Sequence, residues 1–573
     1  MQEVSQPGKF WNWTGFRNRD DQIIIFLSLV IGVIVGLTVV AFILLTGRIA
    51  SRMYPPESAI WRHMLVPIIG TLVSGYLLYK YFPNARGSGI PQAKFALFIQ
   101  DGYISFRTVI GKFVCCSISL ASGIALGREG PSVQIGAGIA SILGRHYGLS
   151  KERVKALVPV GCSAALAAAF NTPIAAVLFS LEEILGDLHA PVIGSVVLSS
   201  ACSWMVLHLL LGDEPLFHVP AYQLVNPVEF GFYAILGIIG GLASVCFVKL
   251  LLWLRVWFRK LPPWTAWAQP AAGGLLMGVF ALIRPEVLGV GYDYVDRVLT
   301  GDFPWKIVVV LAVMKLIATP ACYSSGNAGG IFGPSLFIGA MVGGSIGYGA
   351  HALFPNVTAN PGAYALVGMG TAFAGIVRTP LTSVIMIFEM TRDYSIIVPL
   401  MISNLISFFI SQQLQHEPIY EALALQEGVY LPTGESREEL EGIHAGDVML
   451  TDVEPLPPTT TLDKAKAQLD TEKCHAWPVG SRNNLIGMVT RQGLETASPP
   501  PETIAPLLTP GGDYPFVHSD HPVSYVLERM GSGGVDAIPV VSRANIRQMF
   551  GVVRLADILA KYGVAGTPTV VTK

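Results

Sequence analysis

An arginine and a glutamate lie between glycines and apolar residues in the stretch ALGREGPSVQIGAGIAS, residues 125–141. Pro131 follows directly after the next glycine, and proline favours the first turn of a helix. A helix that begins in apolar surroundings leaves several N–H groups unpaired and carries a partial positive charge at that end, which suits a dehydrated anion. Glu129 would then occupy the place of the anion when ionised and leave it when protonated. The alternative is a short extramembrane turn in which a solvent-exposed Glu129 only caps the helix.

The same arrangement occurs twice in the chain. GPSVQIGA begins at Gly130 and GPSLFIGA begins at Gly333, and a second pair of similar segments places Pro173 and Pro380 207 residues apart. Two matches at nearly one spacing indicate an internal duplication, which is a common architecture of membrane transporters. The repetition favours a site enclosed by protein over two unrelated surface turns.

The composition is that of a membrane protein. The chain has 573 residues, of which 52% are hydrophobic and 13% charged, whereas soluble domains carry about 25% charged residues. An uncharged apolar run at 23–45 is long enough to cross a hydrocarbon core of about 30 Å. Further runs lie near 64–79, 106–126, 191–211, 231–254, 271–283, 307–321 and 396–411. The net charge of −1 gives no electrostatic basis for binding nucleic acid.

Composition also divides the chain into a membrane part and a soluble part. We predict a polar amino-terminal segment, a membrane domain of two repeats, a linker and two small soluble units, at residues 1–21, 22–415 (repeats about 22–211 and 230–415), 416–439, 440–497 and 503–563. The seven cysteines form no CxxC pair or His/Cys cluster. We therefore predict no metal site and no disulfide framework.

Four motifs in order make the chain similar to a known family. They are GSGIP at Gly87–Pro91, GREGP at Gly127–Pro131, GGIFGP at Gly329–Pro334 and a tyrosine after the final apolar run, Tyr420 in HEPIY. In these motifs the chain resembles the CLC chloride channels and chloride/proton antiporters. The resemblance implies a polytopic α-helical membrane fold of two inverted repeats, and a homodimer with one anion pathway per subunit.

The resemblance also implies roles for individual residues. Glu129 would be the external gating glutamate, which moves with protonation, and Arg128 and Gly130 would supply backbone next to this gate. Hydroxyl and amide donors can hold an anion without burying a fixed cation. The implied chloride site consists of two side-chain hydroxyls and three backbone positions, namely Ser88 and Tyr420, and Gly89, Ile331 and Phe332.

A second carboxylate bears on the choice between exchange and passive conduction. In LFSLEEIL, Glu182 and Glu183 end an apolar helix, and the resemblance implies that Glu183 is the internal proton-transfer residue of an antiporter. We therefore predict a chloride/proton antiporter, not an enzyme. A passive, gated chloride channel is the close alternative, since Glu183 could instead be a solvated helix end. An organic-substrate symporter and a membrane-tethered metabolic sensor are more distant alternatives.

GVGYD at Gly289–Asp293 is similar to a potassium selectivity filter, whose carbonyl oxygens replace the hydration shell of the ion. That mechanism needs a four-fold ring of such loops around one pore, and the string occurs once. We interpret it as a glycine-containing turn between repeat elements.

The soluble tail contains its own weak duplication. HAWPV is followed by the similar DAIPV, and the tail resembles a tandem pair of CBS domains, small α/β modules that in many proteins bind adenine nucleotides in their cleft. The usual binding string has a Ser or Thr followed, three residues later, by an Asp for the ribose. The first copy keeps Thr490 but has Gly493 at the Asp position. The second copy keeps Asp557 but has Arg554 at the Thr position. We expect no required cofactor, and both adenine-nucleotide binding and a structural role stay open.

We predict an integral membrane protein of a prokaryotic plasma (inner) membrane, with the CBS tail in the cytoplasm, because the chain is compact and shows no evident targeting segment. Its expected partners are chloride and protons, the lipid bilayer and a second copy of the chain.

Overall fold

The computed structural model describes residues 19–55, 58–188, 190–212, 215–217, 219, 225–429, 443–472, 474–496, 501–508 and 514–561. The chain forms two compact units, Met1–Leu431 and Pro432–Lys573. In the described residues the first unit is α-helical, and the second combines helices with two small sheets. Most of the predicted amino-terminal segment (residues 1–18) and part of the predicted linker (430–439) lie outside the described residues.

The described part of the first unit contains two consecutive series of helices. The first series comprises α1 (Arg19–Met53), α2 (Ile60–Lys80), α3 (Ile90–Phe98), α4 (Phe106–Ala121), α5 (Glu129–His146), α6 (Lys151–Phe170), α7 (Pro173–Phe179) and α8 (Ile193–Leu211). The second comprises α9 (Glu229–Arg259), α10 (Pro270–Ile283), α11 (Tyr292–Leu299), α12 (Trp305–Ser324), α13 (Phe332–Leu353), α14 (Pro361–Val377), α15 (Pro380–Thr391) and α16 (Ile397–Leu414). A π-helical turn, Ser180–Leu185, extends α7. Seven helical segments of the described chain are long and apolar enough to cross a membrane.

Glycines bring the central helices of each series into close contact. Gly136 in α5 faces Gly161 in α6, and Gly339 in α13 faces Gly368 in α14. A Cβ on any of these four residues would overlap the carbonyl oxygen of the glycine it faces. Small residues are what allow helix backbones to approach this closely in membrane proteins. The two helix pairs are therefore counterparts, as the internal duplication predicts.

Counterpart segments of the two series run antiparallel where they meet. The N–H of Gly127 donates to the carbonyl of Gly330, and the N–H of Gly330 donates to the carbonyl of Gly127, both at 2.7 Å. These glycines lie 203 residues apart, the spacing of the duplicated motifs. Reciprocal pairing of equivalent residues is the arrangement that a twofold axis produces.

The helices α7 and α15 show the same reciprocity. Glu182, just after α7, accepts hydrogen bonds from the N–H groups of Leu381 and Thr382 at 3.3 and 2.8 Å. Glu389, near the end of α15, accepts from the N–H groups of Ile174 and Ala175 at 2.9 and 2.6 Å. Each helix thus ends beside the start of its counterpart, so the two helices point in opposite directions. The inverted repeats implied by the family resemblance are confirmed.

A further helix, α17 (Ile419–Gln426), follows the second series. It lies in the stretch that the sequence assigned to the linker, and it packs against α3, α9 and α14. Ile419, Tyr420 and Leu423 are buried. This apolar surface explains why the first compact unit continues past residue 415, the predicted end of the membrane domain.

The second unit contains two similar strand–strand–helix copies. In one, β1 (Ala476–Ser481) pairs antiparallel with β2 (Asn484–Thr490), and in the other β3 (Ala537–Val541) pairs antiparallel with β4 (Met549–Arg554). The described helices are α18 (Ala445–Val448), α19 (Leu462–Glu472), α20 (Arg491–Thr496), α21 (Val523–Gly533) and α22 (Leu555–Lys561). β1 and β3 contact each other, so the two copies form one small α/β unit.

Removing one of the reciprocal carboxylates tests this account of the first unit. We expect Glu389→Ala to lower the melting temperature of the purified protein in detergent, because two N–H groups at the start of α7 lose their acceptor. A capping side chain contributes about 1–2 kcal/mol. Glu417→Ala, which alters a side chain that is 38% exposed, is the matched control. Equal melting temperatures for Glu389→Ala and Glu417→Ala would contradict the capping role.

Candidate functional site

Three helix N-termini meet in the interior of the first unit. Glu129 begins α5, Phe332 begins α13, and Gly89 precedes the first residue of α3. Gly130 lies between them, since a Cβ there would be 2.6 Å from the carbonyl oxygen of Ser88 and 3.2 Å from the Cα of Gly330. Each N-terminus carries unpaired N–H groups and a partial positive charge. The convergence favours an anion.

Two buried hydroxyl groups lie in this part of the structure. Ser88 and Tyr420 are fully buried, and neither hydroxyl has a hydrogen-bond partner among the described residues. Buried polar groups are nearly always hydrogen-bonded, so such exceptions indicate a ligand or water. Ile331 and Phe332 are buried at the start of α13, where their N–H groups have no intrahelical acceptor. Together these groups offer hydrogen-bond donors without a fixed cation, which is the chemistry expected of an anion site.

Glu129 is buried, not solvent-exposed as the alternative interpretation required. The hydroxyl of Tyr292 donates to its Oε1 atom, and the N–H of Gly333 donates to Oε2 at 3.3 Å. Gly333 is the second residue of α13. The carboxylate of one repeat therefore lies at the helix N-terminus of the other repeat, where an anion would also be attracted.

Tyr292 is a site residue that the sequence interpretation missed. GVGYD does form a glycine turn, with φ of 65° at Gly289 and 86° at Gly291. The sequence interpretation gave this turn no role in the site, but its tyrosine begins α11 and contacts Glu129. GVGYD lies 202 residues after GSGIP. Comparison of the two strings at the spacing of the repeats would have found it.

Arg128 lies beside this contact. It is half-buried and precedes the first residue of α5, and its guanidinium carbon is 5.7 Å from the ring centroid of Tyr292. A cation over a tyrosine ring is a favourable interaction. Arg128 and Gly130 flank Glu129 at the start of α5, where the resemblance implies backbone next to the gate. The side chain of Arg128 also contacts Tyr292.

Two lysines hold the glycine turns in place, and the sequence interpretation missed both. The ammonium of Lys112 donates to the carbonyl of Gly87 at 2.7 Å, and that of Lys315 donates to the carbonyl of Gly289 at 2.5 Å. Each also donates to a carbonyl two residues earlier, at 3.1 and 2.9 Å. Both side chains are fully buried, and they lie 203 residues apart. A charged residue repeated at the spacing of the duplication was the available signal.

Glu183 lies in the π-helical turn that follows α7, and it is only 5% exposed. The ammonium of Lys94 on α3 donates to its Oε1 atom at 2.8 Å. Lys94 also pairs with Glu421 on α17. Glu183 is therefore a buried, ion-paired carboxylate and not a solvated helix end. The sequence interpretation missed Lys94 and Glu421.

In the tail, the residues considered for nucleotide binding already have partners. The hydroxyl of Thr490 accepts a hydrogen bond from the N–H of Gly493 at 3.2 Å. Both carboxylate oxygens of Asp557 accept from Arg554, at 2.7 and 2.9 Å. Arg554 also pairs with Glu472 at 2.8 Å. The arginine at the Thr position thus binds the aspartate that would otherwise hold a ribose.

Inverted helical repeats around buried half-helix ends are typical of secondary transporters. The family model described as "Voltage gated chloride channel" matches residues 69–412, and the model described as "CBS domain" matches residues 445–498 and 507–563. The chain belongs to this family of membrane proteins, the CLC family, and carries a C-terminal pair of CBS domains.

Individual relatives agree with this assignment. The chain is 31% identical over 414 residues to the "H(+)/Cl(-) exchange transporter ClcA" of Vibrio campbellii, an alignment that covers 70% of this chain and 88% of the relative. It is similar to the structure of a "slow cyanobacterial Cl-/H+ antiporter", with a TM-score of 0.65, 26% identity, and coverage of 70% of this chain and 97% of the other. A "eukaryotic CLC transporter" shares the fold with a TM-score of 0.67 at 20% identity, covering 94% and 98% of the two chains.

The unpaired hydroxyls give a prediction about chloride affinity. We expect Tyr420→Phe and Ser88→Ala each to weaken chloride binding by about tenfold or more, because a hydrogen bond to a charged group contributes about 1.5–3 kcal/mol. The measurement is isothermal titration calorimetry of purified protein with chloride. Tyr79→Phe, at a residue that is 53% exposed, is the control. Wild-type affinity in both variants would remove the two hydroxyls from the anion site.

Proposed function

We propose that this chain is a secondary-active antiporter that moves chloride across a membrane in exchange for protons. The observation that carries the proposal is the burial of Glu183 in an ion pair with Lys94. A solvated Glu183 would have fitted a passive channel equally well. The exchange activity named for the Vibrio campbellii relative and for the cyanobacterial structure supports the same function.

Glu129 is the proposed point of coupling between the two ions. In its ionised form it accepts hydrogen bonds from Tyr292 and from the N–H of Gly333. Chloride is attracted to the same helix N-termini, and two anions repel each other strongly in a buried site. Protonation neutralises the carboxylate and lets chloride take the place. Binding of a proton to Glu129 therefore admits chloride to the site, and chloride in the site favours the protonated form of Glu129.

The donor set accounts for the proposed selectivity for an anion. Ser88 and Tyr420 offer hydroxyl hydrogens, and Ile331 and Phe332 offer backbone N–H groups at the positive end of α13. A cation would meet the same partial positive charges and be repelled. Because no fixed cation is part of this set, chloride is not held so tightly that it cannot leave.

A passive channel is the less favoured alternative, since a channel needs no second buried acid. Burying a carboxylate costs several kcal/mol unless charges and hydrogen bonds compensate, and charged residues at membrane depth are retained mainly for function. The ion pair with Lys94 compensates the charge of the buried Glu183 carboxylate. The same carboxylate can take up a proton.

The chain is an integral membrane protein, and we place it further in a bacterial inner membrane with the CBS tail in the cytoplasm. The bacterial source of the ClcA relative supports this location. We also infer a homodimer, as the CLC resemblance implies, in which each subunit holds its own chloride and proton pathway.

For the tail we propose that no nucleotide is required, because Arg554 already binds Asp557. We expect no heat of ATP binding to the full-length protein at millimolar ATP, whereas Arg554→Thr should create binding by freeing the aspartate. Arg543→Thr, which removes an exposed arginine paired with Asp520, is the matched control. ATP binding by the wild-type protein that Asp557→Asn abolishes would contradict the proposal.

The central test is a flux measurement on protein in liposomes, with chloride and protons recorded together under an imposed chloride gradient. We expect the wild type to drive protons against their gradient. Glu129→Gln should keep chloride flux and lose proton flux, because the amide cannot take up the proton. Glu152→Gln, an exposed carboxylate at the start of α6, should behave as wild type. Chloride flux without proton movement in the wild type would show a channel instead.

A further inference from the structure

One ammonium group on α3 is shared by two carboxylates from different parts of the first unit. Lys94 donates to Glu183 at 2.8 Å and also pairs directly with Glu421. Because both carboxylates accept from the same nitrogen atom, they lie side by side. The three residues are 89 and 327 positions apart along the chain, so only the fold brings them together.

This three-residue cluster is enclosed. Lys94, Glu183 and Glu421 are 3%, 5% and 6% exposed. The Oε2 atom of Glu421 is buried and has no hydrogen-bond partner among the described residues. A buried carboxylate oxygen without a donor is unfavourable when ionised, but it can carry a proton.

The charges of the cluster do not balance when all three groups are ionised. One cation then faces two anions, and the net charge of −1 is buried. Like charges this close disfavour the simultaneous ionisation of both carboxyls. A single proton on either carboxyl makes the cluster neutral, which is the state that burial favours.

Four other charged groups on the elements around the cluster are engaged elsewhere. Glu182 accepts hydrogen bonds from the start of α15, and Arg255 on α9 donates to the carbonyl of Leu423 and pairs with Glu427. Arg259 on α9 donates to the backbone carbonyl of Gln426. Arg378 at the end of α14 donates to the backbone carbonyls of Ser411 and His416. Lys94 is thus the cation that these contacts assign to the two carboxylates.

We propose that Glu421 is a proton-binding residue of the exchange cycle and shares one proton with Glu183. The proton binds a carboxylate oxygen of either residue, and the cluster passes between neutral and −1 as the proton arrives and leaves. Lys94 fixes the position of the two carboxyls and compensates the one that remains ionised. This inference rests on the proposed antiport function.

The position of Glu421 also connects the proton site to the anion site. Glu421 follows Tyr420 directly in the first turn of α17. The residue that we assign to chloride and the residue that we assign to the proton therefore belong to one short helix.

Single substitution of Glu421 tests the idea in the liposome flux assay. In Glu421→Gln, Lys94 and Glu183 remain as a neutral pair, and protonation of Glu183 would leave a buried positive charge. We expect proton flux to fall about tenfold or more, with chloride flux close to that of the wild type. Glu417→Gln, which alters a partly exposed carboxylate two residues before the start of α17, should leave both fluxes unchanged.

A double variant separates proton binding from a structural role. In Lys94→Gln/Glu421→Gln, Glu183 stands alone and again passes between neutral and −1 as it binds and loses a proton. We expect this variant to recover proton flux at least in part, even though it lacks two members of the cluster. If Glu421 only held α17 in place, the second substitution would make the defect worse.

Three outcomes would overturn the inference. They are wild-type proton flux in Glu421→Gln, loss of chloride flux together with proton flux in that variant, and absence of recovery in a double variant that still transports chloride. Each is read against a wild-type protein that couples the two ions. A wild type that moves chloride without protons would instead contradict the proposed function itself.

Discussion

The arrangement of the membrane unit depends on the N–H groups left unpaired where helices begin inside the protein. Such groups need an acceptor wherever water is excluded. At the starts of α15 and α7 the acceptors are Glu182 and Glu389, each bound through two N–H groups. At the start of α13, Glu129 accepts from one N–H at 3.3 Å and from Tyr292. The difference lies in the donors: Glu182 and Glu389 each accept from two N–H groups of one helix start, whereas Glu129 accepts from a single N–H group and a tyrosine hydroxyl.

Residues that occur at equivalent positions in both repeats build the fold, whereas the residues that we propose to act on ions occur in one repeat only. Glycine pairs, reciprocal carboxylates and the lysines Lys112 and Lys315 occur in both repeats at equivalent positions. The proposed transport residues do not. At the spacing of the repeats, Glu129 corresponds to Phe332 and Glu183 to Met390. Duplication supplies two frameworks that stabilise each other, and the differences between them supply the chemistry.

Much of this could be predicted from the sequence, because helix starts, glycine turns and duplicated motifs are local signals. The position of Glu129 at a helix N-terminus followed from the proline and glycines around it. The contacts that complete the site are not local. Tyr292 reaches Glu129 across 163 residues, and Glu421 reaches Lys94 across 327. The repeat spacing relates GVGYD to GSGIP, but a single sequence does not say which distant side chain either segment contacts, because the fold decides which side chains share a buried volume.

Charge balance links the two proton sites that we propose. Chloride adds a negative charge to the convergent helix ends, and ionised Glu129 adds another, so burial disfavours their presence together. The cluster of Lys94, Glu183 and Glu421 likewise carries one excess negative charge when all three groups are ionised. Binding of one proton removes that charge. Each site is close to neutral in one protonation state only, so in the exchange that we propose the proton governs the buried charge at both.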